Sequence, residues 1–255
     1  GCEVSRLPLI FYLGVALCDL IAGLWLRWRG FVLRESHGVE YWLHQPEDST
    51  LVESVSPPAV FFHGMGIGLL PYCAGIVPEL LLLQQSRRVS ALLLVRQPHV
   101  SMAAFQSNGC PPSPEMMMTA LDEMVSRHAG KSSSGAMLLG HSYGTFAVAQ
   151  ACRRRPTLLH SIVLLDPMCF QLHLSETTHR FCYWPSETTL WGLIAMLVRT
   201  ELLICVCMRR HFMWYHNCLW LEDLDDAGLL GSREPRTTKT LAVVAERDNK
   251  MACPE

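Results

Sequence analysis

The sequence predicts an α/β fold in which helices cover both faces of a mostly parallel central sheet. The first observation is a series of short apolar runs, rich in Val, Leu, Ile and Phe, each long enough for one buried strand. The second is that segments with apolar residues at helical spacing separate most of these runs. The third is the composition: the chain has 255 residues, of which 50% are apolar and 17% are charged, enough for one domain with a large core.

Four strands are predicted in the first hundred residues. The first two form a hairpin that turns at His37-Gly38. The next two are continuous apolar runs, which is typical of strands buried on both faces. In chain order the four strands are Phe31–Arg34, Val39–His44, Ala59–Phe62 and Ala91–Val95.

The remainder of the chain continues the alternation of helix and strand. Apolar spacing predicts a helix at Ser113–His128, with Ser113 as its cap and Pro114 in its first turn. A strand at Ala136–Leu139 leads directly into a helix at Tyr143–Arg153. Two further strands follow, at Ile162–Leu165 and Leu241–Ala245.

Residues from about 168 to 237 are predicted to form a helical lid inserted between the last two strands. They contain four tryptophans and no clear strand pattern. Their apolar run Leu190–Met208 is interrupted by Arg199 and Glu201, so we do not predict a membrane span there. The α/β domain with its lid therefore extends from residue 30 to residue 255.

Charge and cysteine content exclude several classes of protein. Lys plus Arg is 21 and Asp plus Glu is 23, a net charge of −2, which argues against a nucleic-acid-binding protein with a broadly basic surface. The 11 cysteines are odd in number and scattered among apolar runs, as expected of buried thiols in a reducing compartment. Cys205 and Cys207 with His211 and His216 match no common zinc spacing, so we expect no metal ion and no cofactor.

Residues 1–29 form a separate apolar N-terminal segment. Leu7–Leu26 is long enough for a helix that crosses a bilayer, and its only charge is Asp19. Asp19 would cost about 3 kcal/mol on insertion, against about 3–6 kcal/mol gained from the apolar residues. We expect membrane association, with Arg27, Arg29 and Arg34 holding the domain on the cytoplasmic side. The alternative is a helix packed on the domain or lying in the membrane interface.

The strongest chemical motif is Gly140-His141-Ser142-Tyr143-Gly144, which stands between a predicted strand and a predicted helix. This is G-x-S-x-G in the strand–turn–helix context that a nucleophilic serine requires. The turn exposes the Ser142 hydroxyl near a helix N-terminus, where negative charge is favoured. We interpret Ser142 as a catalytic nucleophile, and the alternative is a purely structural turn.

The second motif, His63-Gly64-Met65-Gly66-Ile67-Gly68, follows an earlier strand. Acyl transfer needs two backbone N–H groups directed at the developing oxyanion. We expect one from Tyr143 and the other from Met65, with Gly66 as the next candidate. His63 is interpreted as a structural residue that anchors the loop. A phosphate-binding loop is the alternative, but the glycine spacing differs and no P-loop lysine follows.

These two motifs, their order and the strand pattern resemble those of the α/β-hydrolase superfamily. More narrowly, five stretches resemble a lipase/esterase-like group of eukaryotic α/β hydrolases: HGMGIGLLPY, RQPHVSM, GHSYGT, LLDPMCF and the W-x-x-N-x-L-W run Trp214–Trp220. The resemblance covers about residues 5 to 255. It implies a serine hydrolase and leaves the natural substrate open.

In this fold the triad acid follows the nucleophile and precedes the histidine. By the resemblance, Asp248, after the strand Leu241–Ala245, matches the acid of the family. Asp166 is the second candidate because some lipases place the acid after the preceding strand, although it could equally be a turn residue before Pro167. Glu246 is the third candidate.

The triad histidine has no counterpart after Asp248, since the seven remaining residues include no histidine. His141 lies on the turn itself and has the wrong geometry to reach Ser142. His173, His179, His211 and His216 fall in the predicted lid and are interpreted as surface or packing residues. We expect a chain truncated at its C-terminus, and the alternative is a natural homologue without catalytic activity.

Together these features predict a membrane-associated serine hydrolase of carboxylic esters, with lipid esters as candidate substrates. The competing function is a binding or scaffold protein that keeps the hydrolase fold and lacks the triad histidine.

Overall fold

A computed structural model of the chain describes residues 4, 7–45, 56–129, 135–170, 172–183, 197–230 and 240–243. Its centre is one seven-stranded sheet in the order β1-β2-β4-β3-β5-β6-β7. The strands are β1 (Val32–Ser36), β2 (Val39–His44), β3 (Ala59–Phe62), β4 (Leu92–Val95), β5 (Ala136–His141), β6 (Leu159–Leu165) and β7 (Thr240–Val243).

The helices of the described residues lie before, between and after these strands. They are α1 (Leu9–Trp28), α2 (Leu70–Cys73), α3 (Ile76–Gln85), α4 (Pro114–His128), α5 (Thr145–Arg154), α6 (Ser175–Tyr183), α7 (Leu202–Val206) and α8 (Leu221–Asp226). The predicted α/β class with a mostly parallel sheet is confirmed.

Strand direction follows from the connections. β1 and β2 form the predicted antiparallel hairpin, and β2 is also antiparallel to β4. His37 and Gly38 form the turn with φ of 48° and 77°, the left-handed conformation that a two-residue hairpin turn requires. From β4 to β7 all neighbouring strands are parallel, with helices in the crossovers.

The sheet is covered on both faces, as the apolar strands predict. Along β3, Val60 and Phe62 join the core cluster that includes the apolar sides of α4 and α5. Ala59 and Phe61 point the other way, into the cluster that includes residues of α1 and α3. Each apolar residue of the strand is therefore buried, and the layers run helix, sheet, helix.

The predicted caps and boundaries of several elements match the structure. The Ser113 hydroxyl accepts a hydrogen bond from Met116 N at 3.1 Å, and α4 begins at Pro114. α5 begins two residues later than predicted, because Ser142–Gly144 forms a short 3₁₀ turn before the helix.

Between β6 and β7 the described residues form helices and turns, and no strand occurs among them. Phe181 and Trp214 pack edge-to-face at 5.5 Å, and Phe212 lies against Trp214 at 5.0 Å. Trp184 and Trp191, which belong to the predicted lid, lie outside the described residues.

Candidate active site

Ser142 lies at the carboxyl edge of the sheet, on the turn between β5 and α5. Its φ is 50°, a left-handed conformation that costs a residue with a Cβ about 1–3 kcal/mol. Such strain persists only where the surroundings enforce it, and it is concentrated at functional sites. The conformation is the one expected of a serine held at the tip of a sharp strand–helix turn.

Two glycines make this turn possible. A Cβ on Gly144 would lie 2.0 Å from the Phe62 carbonyl oxygen, and a Cβ on Gly140 would lie 2.8 Å from Thr145 N. Both contacts are far closer than van der Waals distance, and both involve main-chain atoms. The close approach of β3, β5 and α5 therefore requires glycine at both ends of G-x-S-x-G, as the sequence predicts.

The glycine loop after β3 lies against the serine turn. A Cβ on Gly64 would meet the Ser142 Cβ at 3.1 Å and His141 Nδ1 at 2.8 Å. The backbone at Gly64 thus runs directly beside the serine side chain. The two motifs, about 80 residues apart in sequence, are in contact in the fold.

His63 anchors this loop from inside the protein. Its Nδ1 lies 2.7 Å from the Gly64 carbonyl oxygen and its Nε2 accepts from Gln97 N at 3.1 Å. The side-chain amide of Gln97 also donates, through Nε2, to the His63 carbonyl oxygen at 2.7 Å. The first contact needs a proton on Nδ1 and the second a lone pair on Nε2, so the ring is neutral. Burial lowers the pKa of His63 to about 4, in agreement with a structural role.

Tyr72 connects the loop to the turn. Its hydroxyl accepts from Gly64 N at 2.9 Å and lies 2.8 Å from His141 Nδ1, to which it can donate its proton. Burial raises the pKa of Tyr72 above its ordinary value, so the hydroxyl keeps that proton. The same ring packs edge-on against Phe61 at 5.1 Å.

Of the three amides at the centre of the loop, two are occupied. Gly64 N–H donates to the Tyr72 hydroxyl, and Gly66 N–H donates to the Val100 carbonyl oxygen at 2.9 Å. Among the described residues, Met65 N–H has no such acceptor. Of these three amides, Met65 N–H is therefore the one without a protein acceptor among the described residues.

The Ser142 hydroxyl is buried, with 7% of the residue exposed, and donates to the Met168 sulfur at 3.4 Å. Thr145 supports the turn: its hydroxyl donates to the Ser142 carbonyl oxygen at 2.6 Å and accepts from Met168 N at 3.2 Å. All 11 histidines of the chain lie in the described residues, and none of their ring nitrogens is within hydrogen-bond distance of the Ser142 hydroxyl.

Of the candidate acids, the structure describes Asp166 alone. It follows β6 directly, with a φ of 47°, and β6 pairs with β5 so that Leu165 is opposite His141. Asp166 therefore lies at the same edge of the sheet as Ser142, in a turn conformation that aspartate tolerates. Asp248 and Glu246 lie outside the described residues, beyond the end of β7 at Val243.

The cysteines and histidines considered as a metal site have separate partners. The Cys205 thiol donates to the Arg199 carbonyl oxygen at 3.1 Å, and Cys207 lies 3.7 Å from the Tyr143 hydroxyl. His211 Nε2 lies 3.4 Å from the thiol of Cys110. Within the described part of the chain, no three such side chains converge as metal ligands would.

A cavity of about 230 Å³ lies beside Tyr143. Its walls come from the segment after β4, from the start of α4 and the residues before it, from α5 and from the segment after α7. Apolar side chains form most of the lining: Pro111, Pro112, Met117, Met118, Phe146 and Phe212. The cavity thus adjoins the residue that follows Ser142 and is suited to an apolar group.

Several solved structures are similar to this chain. AbyA5 has 14% sequence identity and a TM-score of 0.50, over 90% of this chain and 66% of that chain. The carboxylesterase CesB (YbfK) from Bacillus subtilis has 10% identity and a TM-score of 0.47, over 90% of each chain. An esterase from the fungus Rhizomucor miehei has 16% identity and a TM-score of 0.44, over 84% of this chain and 73% of that one. No protein-family model and no curated protein matches the sequence.

Strand order and the position of the serine turn decide the fold. β2 is antiparallel to both of its neighbours, and all other neighbouring strands are parallel. The glycine loop follows β3, and the serine follows β5. A serine on a strained strand–helix turn at the top of such a sheet is the defining feature of one fold. The chain has the α/β-hydrolase fold. In this hydrolase fold the Gly64 backbone lies beside Ser142.

Sequence reasoning assigned no role to four residues of the site. Tyr72 and Gln97 hold the glycine loop, while Thr145 and Met168 hold the serine turn. All four belong to the stretches that resemble the hydrolase family. The resemblance therefore marks these positions, but it does not say what each residue does. Their partners are distant in sequence, and only the fold reveals them.

Proposed function

We propose that this protein is a serine hydrolase that cleaves carboxylic esters with Ser142 as its nucleophile. The observation that carries the proposal is the positive φ of Ser142 on a turn that two glycines make possible. A strained conformation enforced by close main-chain packing at both glycines favours a reacting group over an ordinary turn. The close approach of Gly64 to Ser142 supports the same proposal, because the glycine loop runs beside the serine side chain.

In the proposed reaction the Ser142 oxygen attacks the ester carbonyl carbon while a histidine takes the hydroxyl proton. The bond to the alcohol oxygen breaks, the histidine returns the proton to that oxygen, and water then hydrolyses the acyl-enzyme. The amides of Tyr143 and Met65 stabilise the oxyanion. Availability of the Met65 amide supports this pairing over Gly66, whose N–H is already bonded to Val100.

Asp248 is proposed as the acid that orients the histidine, on the strength of the family pattern. None of the 11 histidines forms a hydrogen bond with the Ser142 hydroxyl in this arrangement. We therefore expect this chain by itself to reach at most the residual acceleration of about 10³–10⁴ over water that binding and an oxyanion hole supply.

The substrate is proposed to carry an apolar acyl chain. The cavity beside Tyr143 supports this, since Pro, Met and Phe side chains form a large part of its walls, beside polar residues such as Gln150 and Asn217. Membrane association through residues 1–29 agrees with such a substrate, because α1 is long and apolar enough to cross a bilayer. Placement on the cytoplasmic side is proposed because Arg27, Arg29 and Arg34, at and after the end of α1, would be attracted to the anionic lipids of the cytoplasmic leaflet.

The second candidate function is a non-catalytic binding protein with the hydrolase fold. The observation that favours it is the hydroxyl of Ser142, which is buried and bonded to the sulfur of Met168 rather than to an imidazole. A protein of this kind would bind apolar ligands and would not turn esters over.

Hydrolysis of nitrophenyl esters with short and long acyl chains separates the two functions. The longest natural product of the gene should hydrolyse them, and Ser142→Ala should reduce the rate to background. Asp248→Asn should lower turnover by about 10⁴-fold, whereas Asp166→Asn should act mainly on stability. If the longest natural product binds the long-chain ester but does not hydrolyse it, the binding protein is favoured.

A further inference from the structure

The outward side of α1 carries eight exposed large apolar side chains, and we propose that it lies flat on a lipid surface. In this arrangement the helix does not cross the membrane. Its outer face enters the acyl-chain region while its inner face remains packed on the domain. The inference deepens the membrane association proposed above and is independent of the esterase activity.

The inner face of α1 is part of the domain. Val15, Ala22 and Leu26 are buried, with 5%, 2% and 0% of each residue exposed. Gly23 permits close contact with Trp42 of β2, since a Cβ there would lie 3.4 Å from that ring. These residues recur at helical spacing and define one side of the helix.

Two polar contacts fix the same side. Asp19 pairs with Arg96, which follows β4, at 2.8 Å. The Tyr12 hydroxyl donates to the carboxylate of Glu201 at 2.8 Å, and Glu201 is fully buried. A helix that left the domain to cross a bilayer would carry Asp19 into the acyl chains and leave the buried Glu201 without this donor. Both changes are strongly unfavourable.

The outer face is a continuous apolar stripe. At 100° per residue its eight members fall within about a third of the helix circumference, opposite the buried face. Between 47% and 78% of each residue is exposed. The members of this outer stripe are Leu9, Ile10, Leu13, Leu17, Leu20, Ile21, Leu24 and Trp28.

The arginines at the C-terminal end of the outer stripe indicate that a lipid surface covers it. The Arg29 guanidinium stacks over the rings of Trp25 and Trp28, at 5.4 and 5.9 Å. Arg27, which is exposed, lies over the Trp42 ring at 5.7 Å. Tryptophan and arginine beside an aliphatic stripe match the headgroup region of a bilayer, where amphipathic rings and cations meet phosphates.

Flotation with sealed vesicles of phosphatidylcholine and phosphatidylserine tests the contact. The 255-residue chain should float with the vesicles. The variant Leu13→Gln, Leu17→Gln, Leu20→Gln and Leu24→Gln should lose at least tenfold in bound fraction. A control with the same four changes at exposed leucines elsewhere should bind like the unchanged chain; these leucines are Leu82, Leu83, Leu221 and Leu230. Equal far-ultraviolet circular dichroism of the three proteins checks that each is folded.

Topology separates the flat arrangement from a crossing helix. The chain, with an epitope tag before residue 1, is synthesised in the presence of the same sealed vesicles and then treated with external protease. Tag and domain should both be digested. A tag protected inside the vesicles would overturn the flat arrangement, and failure of the chain to float, or equal flotation of the stripe variant, would overturn the lipid contact. Ester hydrolysis plays no part in these readouts, so failure of the proposed hydrolase activity is a separate result.

Discussion

Acid should destabilise this protein through His63, the buried histidine that anchors the glycine loop. The folded protein lowers the pKa of His63 to about 4, chiefly by burial, whereas an unfolded chain has a pKa of about 6.5. The neutral ring is thus favoured by folding. Its contribution to the free energy of unfolding is complete above pH 6.5 and is lost as the pH falls towards 4. At pH 4.5 the free energy of unfolding is lower by about 2–3 kcal/mol, because His63 binds a proton much more readily in the unfolded chain than in the folded protein.

The assay is urea unfolding, followed by tryptophan fluorescence, at several values between pH 7 and pH 4.5. His63→Gln removes the titrating group and retains an amide that can form hydrogen bonds. The variant should be less stable at pH 7 and should lose about 2–3 kcal/mol less than the unchanged chain between pH 7 and pH 4.5. His99, whose pKa burial lowers to about 3, is present in both proteins, so its contribution cancels to first order.

His37→Asn is the matched control, because His37 is half-exposed in a surface turn with positive φ, which asparagine tolerates. Between pH 7 and pH 4.5 the free energy of unfolding of His37→Asn should not show the smaller decrease expected of His63→Gln. Parallel profiles for the unchanged chain and His63→Gln would refute the reasoning, since they would mean that His63 is accessible to protons in the folded state.

Two further substitutions probe the packing of the site. Gly144→Ala places a methyl group 2.0 Å from the Phe62 carbonyl oxygen and should cost about 3 kcal/mol, near the upper end of overpacking effects, while Gly14→Ala, with nothing within 4 Å, should be neutral or stabilising. Thermal unfolding by circular dichroism should give a Tm lowered by about 6–12 °C for the first variant only; equal Tm values would contradict the close approach of β3 and the turn. Tyr72→Phe leaves Gly64 N–H without its acceptor and should cost about 1–3 kcal/mol in urea unfolding, with the control Tyr215→Phe, an exposed tyrosine, near zero. An unchanged stability for Tyr72→Phe would mean that water replaces the phenol.

Local sequence signals were sufficient wherever structure depends on a few adjacent residues. The hairpin at His37-Gly38, the cap at Ser113 and the bounds of β3 agree with the prediction because turn chemistry, capping and apolar runs are local properties. The G-x-S-x-G turn belongs to the same class, since its glycines act on their own neighbours in the chain and on the adjacent strand.

α3 shows where such signals fail. Its buried residues are Val77, Leu80, Leu81 and Gln84, a regular helical spacing. In the sequence this spacing is hidden, because Leu82 and Leu83 are apolar but exposed and Gln84 is polar but buried. The sequence pattern therefore does not predict this helix. Gln84 is buried because its amide donates to the His44 and Ser90 carbonyl oxygens, contacts that only the fold creates.

Long-range polar contacts account for the rest of what the sequence could not predict. The bond between Tyr12 and Glu201 joins residues 189 positions apart, and with the pair between Asp19 and Arg96 it assigns α1 to the domain surface. Hydropathy alone describes α1 as apolar throughout and does not distinguish its inner face from its outer face. The distinction between a spanning and a docked helix therefore depends on the tertiary structure.

Covalent labelling of Ser142 tests the central claim most directly. The longest natural product of the gene is treated with a fluorophosphonate probe, and the modified peptide is identified by mass spectrometry, with Ser142→Ala and the exposed-serine variant Ser126→Ala run in parallel. The account predicts that the adduct lies on Ser142, is absent from Ser142→Ala and is unchanged in Ser126→Ala. An adduct on another residue, or labelling that survives Ser142→Ala, would contradict it.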